Sequence, residues 1–195
     1  MNLHDRHAQA AFARIACSEA ERATGGRAEA HRLAAVAVAR RLGIPVRAGS
    51  PARGFGWDGR RLRAGTEAYV LLHEIAHWQL ADRRRRRARE FGLGPGPETG
   101  HRAAAERATL LIGLAREREE ALASLLGILW EADLRQPALA SFLDQNWLEG
   151  ADRPGAAAHF ETTLARLIDC GLVDVEGRPV IHMNKTPRRK DAKRA

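Results

Sequence analysis

The run His73-Glu74-Ile75-Ala76-His77-Trp78 sets two imidazoles four residues apart with a carboxylate between them. On a helix, positions i and i+4 lie one above the other, so both rings project from one face within reach of a single divalent metal ion. Glu74 then stands about 100° round the helix, where it reaches a water on the metal rather than the metal itself. The plainer alternative is a pair of core histidines hydrogen-bonded to backbone, because an unsatisfied buried polar group costs about 1–3 kcal/mol.

Two ligands from one helix make half a site, and a third must come from elsewhere. A His six residues after the second would give the metzincin arrangement, but that position is Arg83. The better candidate is Glu106, which shares a stripe with Leu110, Gly113 and Leu114 at helical spacings in a stretch read as one helix from His101 to about Glu131. A carboxylate on an apolar stripe wants a cation. His101 and Glu98 are weaker candidates beside the Gly94-Pro95-Gly96-Pro97 loop, and the plain alternative for Glu106 is a boundary residue paired with Arg102 or solvent.

The elements that must position these groups follow from breakers and periodicity. Glu67 to Leu80 lacks Gly and Pro and follows Gly65-Thr66, so a helix is predicted there with Thr66 as its N-cap. Helices are predicted over Asp5 to Arg22 and Arg27 to Leu42, split by Thr24-Gly25-Gly26, and again from Pro137 to Trp147. Ile44 to Arg47 and Arg60 to Arg63 are the candidate strands, flanking a Gly-rich loop that carries Phe55 and Trp57. A strand of this kind beside the metal helix would offer its edge to an extended substrate. Beyond Asp152-Arg153-Pro154-Gly155, a helix from His159 to Asp169 precedes a hairpin made of Leu172 to Val175 and Arg178 to Ile181.

The expected fold class is therefore α+β: a mainly helical, zincin-like domain with a small sheet beside the metal helix, plus a C-terminal helix and β-hairpin. The expected division is a metal-binding domain over 1–150, a helix-hairpin appendage over 151–183 and a basic disordered tail over 184–195. His4, His7, His31, His159 and His182 have no ligand spacing, and Trp57, Trp130 and Trp147 read as core or rim.

Cys17 and Cys170 stand far apart in no metal-binding spacing, which fits a reducing cytoplasm, and no secretory signal or membrane-length apolar run is visible. The formal charge of +8 and the five consecutive arginines Arg83 to Arg87 suit contact with RNA or an acidic protein surface. They equally suit a solvated helix end favoured by the helix dipole.

His73-Glu74-Ile75, His77-Trp78, Ala81, Arg85-Arg86 and Phe91-Gly92 together resemble the metal-site region of the bacterial elongation factor P hydroxylase family. The resemblance covers His73 to Gly92. It implies a 2-His-1-carboxylate site holding non-haem Fe(II), with His73 and His77 as ligands, Glu106 in the place of the downstream glutamate, and hydroxylation of a lysine side chain of elongation factor P or another protein. Leu93-Gly94-Pro95-Gly96 and Arg107-Ala108-Thr109-Leu110 depart from the family pattern. A zinc metallopeptidase with Glu74 as general base is the alternative, and it gives Glu74 a necessary task that the hydroxylase does not. A third possibility is a non-catalytic, metal-containing RNA-associated or ribosome-associated protein.

Overall fold

The computed structural model describes residues 3–145, 147 and 155–181. Its order is α1 (Leu3–Ala16), α2 (Gly25–Arg41), β1 (Val46–Arg47), β2 (Leu62–Arg63), α3 (Ala68–Leu80), α4 (Arg102–Glu106), α5 (Gly113–Asp133), α6 (Ala138–Asp144) and α7 (Ala156–Asp169), with short 3-10 turns between. The architecture is mainly helical with one small sheet, as the α+β class requires. Among the described residues, no helix is long and apolar enough to cross a membrane.

The metal-motif helix α3 is the centre of the packing, and its main neighbours are α5 and α2. It buries Leu71, Leu72, Ile75, Ala76 and His77, so the apolar residues before and between the histidines face the core. Gly127 of α5 lets the two helices close, since a Cβ there would lie 3.3 Å from the backbone of His73. Trp130 Nε1 donates to Gln79 Oε1 at 2.9 Å and adds a polar tie across the same contact. The α2 side is built from small residues, with Ala35, Val36, Val38 and Ala39 buried.

The predicted cap at Thr66 is not the one observed. Glu67 is the N-cap of α3, without a side-chain bond, and Thr66 Oγ1 instead donates to Glu98 Oε2 at 2.7 Å. The two predicted strands pair with each other in parallel, Val46 with Leu62 and Arg47 with Arg63. On its other side β2 bridges to Trp57, and Arg63 N donates to Gly56 O. Neither side of β2 is therefore left for an added strand.

The largest departure is the long helix predicted over 101–131. The chain leaves α4 after Glu106, and α5 starts only at Gly113 with φ +56°. Between them Leu110 N and Leu111 N both donate to Gly92 O. Leu110 and Leu114, expected on a buried stripe with Glu106, are exposed. The periodicity that aligned them crosses a break, so it carried no common face.

Phe160, Leu164 and Leu167 of α7 and Val173 after it belong to the same core as Ile15 of α1 and the apolar face of α5. Where the hairpin was predicted, an antiparallel bridge joins Val173 to Pro179. The predicted basic tail and His182 lie outside the described residues.

Candidate metal centre

His73 and His77 project from α3 toward Glu120 of α5, and one atom from each lies within 4.8 Å of the others. His77 Nε2 is 3.0 Å from His73 Nε2, and Glu120 Oε2 is 3.4 Å from His73 Nε2 and 3.3 Å from His77 Nε2. An ion held at about 2.0–2.1 Å has ligand–ligand edges of about 3.3–3.4 Å if tetrahedral and about 2.8–3.0 Å if octahedral. This triangle fits a first-row divalent ion in either geometry. Two imidazoles and a carboxylate are also the donor set that zinc and non-haem iron share.

Glu120 thus takes the place expected for Glu106. Glu106 is exposed at the end of α4, with its carboxylate beside Gly94, because the break at 107–112 removes it from the phase of α5. His101 is likewise outside the group; its ring packs edge-on to Phe55. Glu98 lines the pocket but is bonded to Thr66.

A second carboxylate orders the site from behind. Glu119 Oε1 is 3.4 Å from His77 Nδ1, and Arg85 meets both oxygens of Glu119 through its two terminal nitrogens while its Nε donates to Phe91 O at 3.0 Å. A partner on Nδ1 fixes the tautomer that leaves Nε2 facing the cluster. The Phe91 ring stacks on those of His77 and Trp57, with centroids 5.9 and 5.2 Å away. Two of the five arginines are therefore structural: Arg85 through Glu119, and Arg86 over the Trp78 ring with its Nε on Trp78 O. The run is a turn and a 3-10 segment separate from α3, which corrects the expected helix end.

Glu74 shares the pocket. Its carboxyl lies beneath Gly56, where a Cβ would come within 3.3 Å of its Cδ and 3.4 Å of Glu90 Oε2. Glu90 was not singled out from sequence. It is buried, and it accepts from Gly56 N and Trp57 N at 3.0 Å and from Thr99 Oγ1 at 2.7 Å. Glu90 and Phe91 both adopt left-handed backbone, φ 44° and 53°, a conformation costing of order 1–3 kcal/mol for a non-glycine residue. The bonds to Glu90 and the stacking of Phe91 hold it in place.

These contacts set the ionisation. Burial, and then the neighbouring Glu90, push Glu74 up to about 8. Burial alone would lower His77, but the carboxylates of Glu119 and Glu120 prevail and raise it to about 9. His73 moves down through burial and then the charge of His77. Burial opposes ionisation of Glu120, yet the bonds to His73 and His77 hold it well below the usual carboxylate range. Arg85 balances the charge of Glu119, and the His77 imidazolium answers that of Glu120.

The triad lines a pocket of about 540 Å³ whose wall also includes Pro51, Arg63 and Thr66. Compared with known proteins, the chain matches no family model, no curated sequence and no solved structure.

Proposed function

We propose that the protein is a metal-dependent hydrolase acting on an amide or peptide bond, with His73, His77 and Glu120 holding one divalent ion and Glu74 serving as general acid and base. The position of Glu74 carries this reading: it is one residue from a ligand yet outside the triad, with its carboxyl in the same pocket. A divalent ion bound by these three residues would supply Lewis-acid polarisation of a carbonyl and a lowered pKa for water. The charge of that ion would favour the Glu74 carboxylate over the protonated form, and the carboxylate would take the proton from the attacking water and return it to the leaving nitrogen. The Glu74 carboxyl packs beneath Gly56 beside Glu90, which the Gly56 and Trp57 amides hold, and Glu119 with Arg85 orients His77.

Glu74→Gln separates chemistry from binding. The variant should retain about one equivalent of metal while peptide hydrolysis falls by about 10²-fold or more; unchanged turnover would remove hydrolysis as the activity.

A second reading, oxidative and iron-dependent, draws on a different observation. Of the residues that resemble the elongation factor P hydroxylase family, Phe91 stacks on His77 and Arg85 holds Glu119 behind it, while Arg86 and Trp78 pack on each other. The substrate would then be a lysine side chain on elongation factor P or another acidic protein. Arg83, Arg84 and Arg87, which make no ion pair within 4 Å among the described residues, would meet its acidic surface or RNA. Metal content after purification without oxygen decides between the readings: zinc for hydrolysis, iron for oxidation.

A further inference from the structure

We propose that Arg63 is a carboxylate-binding subsite, so that the ligand of the metal pocket is an acid whose anionic end lies on Arg63 while its reacting end lies at the triad. The inference rests on the metal reading above and adds the chemical class of the ligand.

The observation is an uncommitted guanidinium. Elsewhere in the molecule half-buried arginines are matched: Arg14, Arg22, Arg32, Arg47 and Arg85 each meet a carboxylate, and Arg86 lies on Trp78. Arg63 is half-buried in the pocket wall and has no carboxylate within 4 Å among the described residues. Its Nη1 donates to Ser50 O at a long 3.3 Å. Its Nε is buried with no partner, as are those of Arg14 and Arg47, but its Nη2 also has no partner among the described residues. What sets Arg63 apart is the missing carboxylate, and a terminal nitrogen without a partner is a donor that an acid in the pocket can use.

The surroundings aim the group rather than neutralise it. Its guanidinium lies under the loop at Gly49 to Gly54, where a Cβ on Gly54 would stand 2.7 Å from Nη2 and one on Gly49 3.5 Å from Nη1. That loop therefore accepts the planar head because it carries glycine at both places. Arg63 N is itself fixed by Gly56 O, beside the Glu74 carboxyl. The other guanidinium of the pocket, Arg116, stands 3.9 Å from Glu120 on its own helix. An incoming carboxylate thus meets Arg63 as the uncommitted cation, and a charge-assisted bond of this kind is roughly twice as strong as a neutral one.

The test uses the full chain loaded with zinc and titrated calorimetrically with alkyl hydroxamates bearing a terminal carboxylate on arms of increasing length, each beside its carboxamide. One carboxylate compound should bind about tenfold tighter than its amide. That preference should vanish in Arg63→Gln, persist in part in Arg63→Lys, and leave the unsubstituted hydroxamate unaffected. No preference at any length, or a preference that survives Arg63→Gln, overturns the proposal. Peptide hydroxamates with free and amidated C-termini distinguish a peptide's terminal carboxylate from a small free acid. If the wild-type chain takes up no zinc, the metal reading fails by itself. Glutarate on the metal-free protein then decides Arg63, by a rise in melting temperature that Arg63→Gln abolishes.

Discussion

At the scale of single residues, three positions test the centre together. Glu120→Ala removes a ligand and should weaken zinc binding by at least about 10²-fold, whereas Glu106→Ala, at an exposed position, should leave it within about twofold. Glu119→Gln keeps the shape but weakens the hold on His77 and Arg85, and should cost about 10–100-fold. Competition with a chromophoric chelator measures all three, and equal losses in the Glu106 and Glu120 variants would refute the assignment. The facing of His73 and His77 was legible in the sequence because an i, i+4 relation is local and needs only one helix. Glu120 was not, because its approach to them depends on how two helices cross. A usable signal was present, though: Glu119-Glu120 stands where the apolar face of α5 begins, seven residues before the glycine that admits α3.

At the scale of elements, the crossing of α3 and α5 sets the distance between the histidines and their carboxylate. Gly127→Leu drives a branched side chain into the backbone of His73, where even a Cβ would have 3.3 Å. Overpacking of this kind costs about 1–3 kcal/mol, and here it also moves Glu120 from the rings. Thermal melting should fall, and zinc affinity should fall with it; a destabilised variant with unaltered zinc affinity would mean that the crossing does not set the site. The helices themselves could be read in advance, since α2, α3 and α7 start and stop near their Gly, Pro and polar breakers. The split between α4 and α5 was hidden. Residues 107–112 contain neither Pro nor Gly, and the turn there is imposed from outside by Gly92 O accepting from Leu110 and Leu111. Glu90 was equally illegible, because its partners at Gly56, Trp57 and Thr99 come from distant segments and its left-handed backbone leaves no pattern in sequence.

At the scale of the whole molecule, stability should carry the mark of a second buried acid. Glu131 of α5 is 3% exposed, and burial raises it to about 7 against the opposing bond from Ser141. In the unfolded chain a glutamate titrates near about 4.3. Below that pH both states hold the proton. Between about 4.3 and 7 only the unfolded state releases it, so this contribution to stability falls as pH rises and is level above about 7. Glu131→Gln removes the dependence, and the variant should gain on the parent by about 3 kcal/mol between pH 4.5 and 8 in urea melts. A difference that does not change with pH would show that Glu131 ionises normally in the fold.

Between the two ligand helices, residues 81–112 contain only turns, short 3-10 segments and the five-residue α4. An ion shared by His77 and Glu120 pins both ends of that stretch, and so acts as a cross-link closing a ring of roughly 40 residues. A ring of that size removes about 4 kcal/mol of chain freedom from the unfolded state on a polymer model. On the proposed metal reading the centre would then be a clasp as well as a site of catalysis. Its release by a chelator should show first as cutting by trypsin within Arg83 to Arg89, a row of cleavage points strung along the segment that the clasp secures, and added zinc should protect the row again.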